Sequence, residues 1–210
     1  LLVHAPHDAL EHLHGAREHV GAVQILLGLG EVAARVAHVR GDRARERALA
    51  ERGVTEPEIV LAESAHAAFH KGAHLFGLTV RSTPVTDDLT ADVGAMAAEV
   101  GPDTALVVAS AMDYPPGLVD PVPEIAALAA SVGASCHVDA CMGGFVLPFA
   151  SIEEPDAWGS PPWDLAVEGV TSISADLHKL GYAPKGASVI LHRSRRLRRY
   201  QTFDFDGWLG

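Results

Sequence analysis

At 210 residues, 48% apolar and 20% charged, the chain is long enough for one sizeable core and has an ordinary globular composition. A formal net charge of −11 argues against a nucleic-acid or anionic-membrane partner for the chain as a whole. Two cysteines, Cys136 and Cys141, exclude a disulfide scaffold or a four-cysteine zinc site and suit a reducing, cytoplasmic setting.

Residues 1–40 show no clean element boundary. They hold six of the twelve histidines, five of them in HAPHDALEHLHGAREH. His12 and His14 are not helix-spaced and no Cys or acidic ligand set recurs, so the segment reads as solvated and no metal is expected. The apolar run VGAVQILLGLG, 20–30, is too short and too glycine-broken to span a bilayer, and no membrane segment is expected. LLVHAPHDAL lacks Met and a basic stretch, so it does not read as a signal peptide. With the chain stopping at DFDGWLG, a piece of a longer protein is expected.

From residue 42 the elements alternate. DRARERALAERG is a charged helix pattern that Gly53 would stop, and EIVLA, 58–62, is a short buried strand. SAHAAFHKGAHLFG, 64–77, reads as a helix capped by Ser64, with Ala68, Leu75 and Phe76 on one face. LTVRS, 78–82, alternates as a strand does; TADVGAMAAEVG is a capped helix and TALVVAS, 104–110, a buried strand. DPVPEIAALAASVG has Asp120 as its cap and Pro121 at the first helical position. ASCHV, VTSIS (170–174) and ASVILH (187–192) are further strands, IEEPDAWGSPPWD is a loop, and RSRRLRRY reads as the exposed face of a short helix. Strand and helix in alternation predict an α/β sheet covered on both faces.

Between VTSIS and ASVILH lies Lys179, preceded by His178 and followed by a turn rich in Gly and Pro. Burying an ammonium is costly unless it is paired or its charge is removed, and a Schiff base with an aldehyde cofactor removes it. In open α/β sheets ligands gather at the carboxyl ends of strands. Polar clusters fall at three such ends: Ser64–His66, Asp139, and Asp176–Lys179. A lysine, a carboxylate and an imidazole are the set that pyridoxal phosphate uses.

HVDACMGGFVLPF followed by GVTSISADLHKLGYAPKGASVIL resembles the pyridoxal-phosphate decarboxylase superfamily, most closely its branch of sphingosine-1-phosphate lyases. EIVLAESAHAAFHKGAHLFGLTV and GLVDPVPEIAALA are similar to that family too, so the likeness runs from about residue 42 to 210. It implies the large domain of an aspartate-aminotransferase-like, fold type I enzyme: α/β, with a mostly parallel central sheet and helices on both faces. Residues 1–40 would be an atypical, unassigned segment and 41–210 a partial cofactor-binding domain without the family's C-terminal small domain.

Carried over by motif, the resemblance makes Lys179 the Schiff-base lysine and Asp139 the partner of the pyridine nitrogen. His66 would stack on the ring, Ala140 would pack beneath it, and His178 would sit near the phosphate or the lysine linkage. Ser110 would lie near the cofactor, although Ala111 replaces the hydroxyl usual beside it. Lys185, in Ala-Pro-Lys-Gly, matches a second lysine that the lyase branch keeps at its active site. One departure stands upstream. Where the family carries a glycine-rich turn ending in Gly-Thr-Glu-Ser, whose amides cup the cofactor phosphate, this chain reads VQILLGLGEVAARVAHVRG.

The resemblance implies a homodimer that binds pyridoxal phosphate and cleaves a carbon–carbon bond of an amine or amino-acid substrate. In the lyase branch the substrate is a phosphorylated long-chain amino alcohol, and the second lysine favours that branch. An amino-acid decarboxylase, or a folded fragment without cofactor, is the alternative.

Overall fold

A computed structural model describes residues 22–27, 44–114, 116–149, 161–201 and 207, those of 22–27 by their backbone only. Its centre is a seven-stranded sheet. The strands are β1 (Ala22–Leu27), β2 (Glu58–Ala62), β3 (Thr79–Thr83), β4 (Thr104–Ser110), β5 (Ser135–Asp139), β6 (Val170–Asp176) and β7 (Ala187–His192). Among the described residues, helices include α1 (44–52), α2 (Ala68–Phe76), α3 (Val93–Glu99), α4 (Val122–Ser131) and the single turn α5 (Arg195–Arg198).

The spatial order is β1-β7-β6-β5-β4-β2-β3. β3, β2, β4, β5 and β6 run parallel, and β7 and β1 close one edge antiparallel. Parallel strands need crossovers, which α2, α3 and α4 supply in turn. Period-two alternation sends neighbouring side chains to opposite faces, and both faces are buried. Ile59 and Leu61 of β2 join Leu106 and Val108 of β4 in a core with Ala48 of α1 and Phe69 and Ala73 of α2. Val60, Ala62, Val107 and Ala109 face the other way, onto Met96 of α3 and Val122, Ile125 and Ala129 of α4. Such double burial explains why β4 is apolar along its length and wholly buried.

EIVLA, TALVVAS and ASVILH occupy the strands expected of them, residue for residue. Three expectations change. β1 lies inside the segment that showed no element boundary, and it pairs with β7 from Ala22 opposite His192 to Leu27 opposite Ala187. The helix expected from Ser64 begins at Ala68, behind Ala67, with no side-chain cap, and Leu75 is half exposed. Two turns come first, over 62–65 and 66–69, closed by Ala65 N–H on Ala62 O and Phe69 N–H on His66 O. Asp120 does not cap α4 either. Its two carboxylate oxygens accept from Ala91 N–H (2.8 Å) and Ser110 N–H (2.7 Å), which satisfies two buried backbone donors, so the helix starts at Val122 behind Pro121. Asp92 does cap α3, accepting from Ala95 N–H. α5 is the short helix expected of RSRRLRRY; Arg196 and Arg199 pair with Glu51 of α1.

Chain order reverses between β2 and β4: β3 lies on the outer side of β2, whereas β4 to β6 run off on the other. That makes the carboxyl ends of β2 and β4 a switch point, where a crevice opens in a doubly wound sheet.

Candidate active site

The carboxyl edge of the parallel strands carries Ser64 and His66 past β2, Ser110 at the end of β4, Asp139 at the end of β5 and Asp176 at the end of β6. Register brings two of these side by side, Ser110 and Asp139, and sets Asp139 beside Ser174 of β6. Asp139 Oδ1 accepts from Ser174 Oγ–H at 3.0 Å and from Cys141 N–H at 3.1 Å. The backbone after Asp139 is held as tightly: Ala140 N–H donates to Ser174 O, and Ala111 N–H to Asp139 O.

Lys179 follows β6 on a turn in which its N–H donates to Asp176 O. Its Nζ lies 3.0 Å from Asp176 Oδ2; the lysine side chain keeps 26% of its surface exposed and the carboxylate none. Ser188 Oγ–H donates to the other oxygen, Asp176 Oδ1. Burial pulls the Lys179 pKa down, but the charges of Cys141, Asp176 and Asp139 outweigh it and leave it raised. The ammonium therefore sits on Asp176 at the end of β6 and feels the charge of Asp139 at the end of β5. His178 sits beside it, with Nδ1 on Ala187 O at 2.8 Å and Nε2 3.7 Å from Asp176 Oδ2.

His66 is exposed at its strand end, and its Nδ1 accepts from Ala68 N–H at 3.1 Å, which leaves the proton of the neutral ring on Nε2. Ser110 is buried, its N–H spent on Asp120. Ala140, expected beneath a cofactor ring, is fully buried in the core under Gly144 and offers no open surface in this structure. Lys185 lies exposed in the turn before β7, six residues along from Lys179. The Gly-Thr-Glu-Ser position falls outside the described residues. Among the described residues no cluster of His, Cys, Asp or Glu is placed to hold a metal ion, and no helix is long and apolar enough to cross a membrane.

Two groups here escaped the sequence reading. Asp113 is buried past β4; burial raises its pKa, the hydroxyls of Ser110 and Ser64 work against that, and the charge of Asp139 adds to it. His137 is fully buried one residue pair below Asp139, inside the buried strand expected of ASCHV. Cys141 is a buried packing residue whose Sγ–H meets Ser174 Oγ at 3.3 Å, and burial pushes the Cys136 thiol up to about 12.

The donor set fits pyridoxal phosphate: an amine for the aldehyde, a carboxylate at the neighbouring strand end for the ring nitrogen, and an exposed imidazole at the same edge. Architecture and site together define the large domain of a fold type I pyridoxal-phosphate enzyme. The pyridoxal-dependent decarboxylase conserved domain matches residues 1–206, and the chain belongs to that family, whose cofactor is pyridoxal phosphate.

Over 160 residues the chain is 46% identical to sphingosine-1-phosphate lyase 1 of Rattus norvegicus, covering 76% of this chain and 28% of that protein. Over 200 residues it is 40% identical to a probable sphingosine-1-phosphate lyase of Legionella pneumophila, covering 93% and 31%. The sphingosine-1-phosphate lyase structure from Burkholderia pseudomallei superposes with a TM-score of 0.83 at 37% identity, over 96% of this chain and 44% of that one. Glutamate decarboxylase of Lactobacillus brevis, at 20% identity and a TM-score of 0.71, shares the fold. The chain thus spans less than a third of the length of these curated relatives.

Proposed function

We propose that residues 41–210 are the cofactor-binding part of a pyridoxal-phosphate-dependent carbon–carbon lyase acting on a phosphorylated amino alcohol. The observation that carries this reading is the Lys179 ammonium, held 3.0 Å from buried Asp176 at the strand edge where Asp139 ends β5. When bound, pyridoxal phosphate supplies an electron sink for the pair of electrons released as the carbon–carbon bond breaks.

The chain's own residues prepare for this. Lys179 would offer the amine that anchors the aldehyde, and the Asp176 carboxylate balances its ammonium charge until then. Asp139 would pair with the ring nitrogen and keep a proton there. His66, with its Nδ1 tied to Ala68 N–H, presents a fixed ring face for stacking. His178 and Ser110 would line the cofactor position, and the fully buried Ala140 would back it from the core rather than meet the ring. Lys185, exposed in the turn before β7, would be the second amine, whose ammonium could donate a proton to the leaving fragment.

Similarity to lyases at 37–46% identity, together with Lys185 in Ala-Pro-Lys-Gly, favours this over decarboxylation of an amino acid. A homodimer and a cytoplasmic site of action belong to the same reading; neither Cys136 nor Cys141 is in a disulfide, in keeping with a reducing compartment.

The test is product analysis with the full-length protein and a phosphorylated sphingoid base. A long-chain aldehyde and phosphoethanolamine, both lost in Lys179→Ala, are expected. Carbon dioxide from amino acids and no aldehyde would replace this reading with the decarboxylase one.

A further inference from the structure

β5 and β6 are central strands covered on both faces, where a continuous apolar run is the rule. Yet one face of this pair is polar. His137 and Asp139 are two apart on β5, so they share a face, and the register places them opposite Ser172 and Ser174 of β6. His137, Ser172 and Ser174 are buried, the imidazole fully. Its Nδ1 lies 2.8 Å from Ser172 Oγ and its Nε2 3.3 Å from Ser174 Oγ; Phe69 of α2 closes the face, its ring centre 6.1 Å away.

Proton counting orients this square. A serine has one proton to give, and that of Ser174 goes to Asp139 Oδ1 at 3.0 Å. Ser174 Oγ can then only accept from His137, so the imidazole proton sits on Nε2. Nδ1 is left as an acceptor for Ser172 O–H. Every donor in the chain therefore points the same way: Ser172 to His137, His137 to Ser174, Ser174 to Asp139. Cys141 N–H adds a second donor on the same carboxylate oxygen at 3.1 Å.

Packing alone does not call for this arrangement. Valine or isoleucine at 137 and 174 would fill the interior without burying polar atoms that each need a partner. The ladder ends on the one carboxylate at the strand edge assigned to the cofactor ring. We propose that His137 is a positioning residue for the ring nitrogen's partner: through Ser174 it fixes the aim of Asp139 and keeps it an acceptor. The proposal rests on the reading of Asp139 given above. His137 touches neither cofactor nor substrate.

The test measures the affinity of the full-length protein for pyridoxal phosphate and for its 1-deaza analogue, whose ring has carbon in place of nitrogen. Asp139→Asn sets the scale: its preference for the natural cofactor should collapse, because only the ring nitrogen distinguishes the two ligands. His137→Leu and the milder Ser174→Ala should each lower that preference about tenfold, as loss of an outer-shell partner does at metal sites, while affinity for the analogue stays put. His137→Gln, which can still donate to Ser174, should restore part of it. Equal loss of both ligands in both variants would mean that His137 only packs, and unchanged preference in both would also overturn the relay. An unchanged preference in Asp139→Asn would remove the Asp139 reading itself, and the relay with it.

Discussion

The amine of Lys179 and the carboxylate of Asp176 form an ion pair across a single turn, 3.0 Å apart, with the carboxylate wholly buried. Asp176 cannot leave this position, because Ser188 holds its other oxygen. Lysine is the mobile partner, and a free amine there is a nucleophile only after losing its proton.

Capture of pyridoxal phosphate by this amine, as proposed, should therefore be pH-dependent. The Lys179 pKa is raised, its burial outweighed by Cys141, Asp176 and Asp139, so the amine is charged at neutral pH and the reactive fraction grows as pH rises. Asp176→Asn keeps an oxygen for Ser188 and removes the charge. It should move the pH profile of the cofactor-binding rate, followed by stopped-flow absorbance, to lower pH. A profile left in place would show that Asp176 does not govern this amine.

Asp113 and Asp120 make the fold sensitive to pH in the other sense. Burial, helped by the charge of Asp113, raises Asp120 to about 6, against two backbone donors that favour its ionised form. A carboxyl raised from 3.8 to about 6 contributes on the order of 3 kcal/mol, present below pH 4 and lost as pH climbs through 6. Asp113→Asn removes the neighbouring charge. Denaturant midpoints at pH 4 and pH 7 should show that the variant loses less stability on raising the pH than the parent does; equal losses would contradict the coupling.

Gly144 cannot carry a side chain. A Cβ there would lie 2.6 Å from Ala175 Cβ and 2.8 Å from Ala140 O, both fixed by the sheet edge that holds Asp139. Gly144→Ala should cost about 1–3 kcal/mol by overpacking and weaken cofactor affinity as Ala140 is displaced. Calorimetry of the variant with and without cofactor separates the two effects; full stability would mean that the edge yields.

Arg193 fastens the loop before β6. Its Nε donates to Val170 O (2.5 Å), and its NH2 group to Leu165 O (2.7 Å) and Val167 O (2.5 Å). Lysine cannot span three carbonyls in that fork, so Arg193→Lys should lose about 2 kcal/mol or more, since hydrogen bonds from a charged donor are worth about 1.5–3 kcal/mol each. An unchanged melting temperature would show that the loop is held by other means.

Much of this architecture is legible in the sequence because burial on both faces leaves a plain mark. TALVVAS is apolar at every position but its ends, and the structure buries all of it. Helix starts are less legible. Ser64 and Asp120 look like caps, but tertiary demands take them: Asp120 is drawn off by two backbone donors that meet only in the fold. β1 was hidden because AVQILL needs β7 as its partner, 160 residues along the chain, before it is recognisable as an edge strand.

The site divides in the same way. Asp139 and Lys179 stand out because each follows a strand and breaks its apolar run. His137 and Ser174 sit inside strands, and HVD and SIS look unremarkable apart. A signal was present all the same. Polar residues at every second position of two central strands have no packing reason, and pairing them by register shows that they face one another.

The most direct test of the central claim is to load the full-length protein with pyridoxal phosphate, reduce it with borohydride and locate the pyridoxyl group by peptide mass spectrometry. The account predicts one modified lysine, Lys179, with the matching visible absorption band missing in Lys179→Ala. Labelling at Lys185 instead, or no lysine labelled at saturating cofactor, would contradict it.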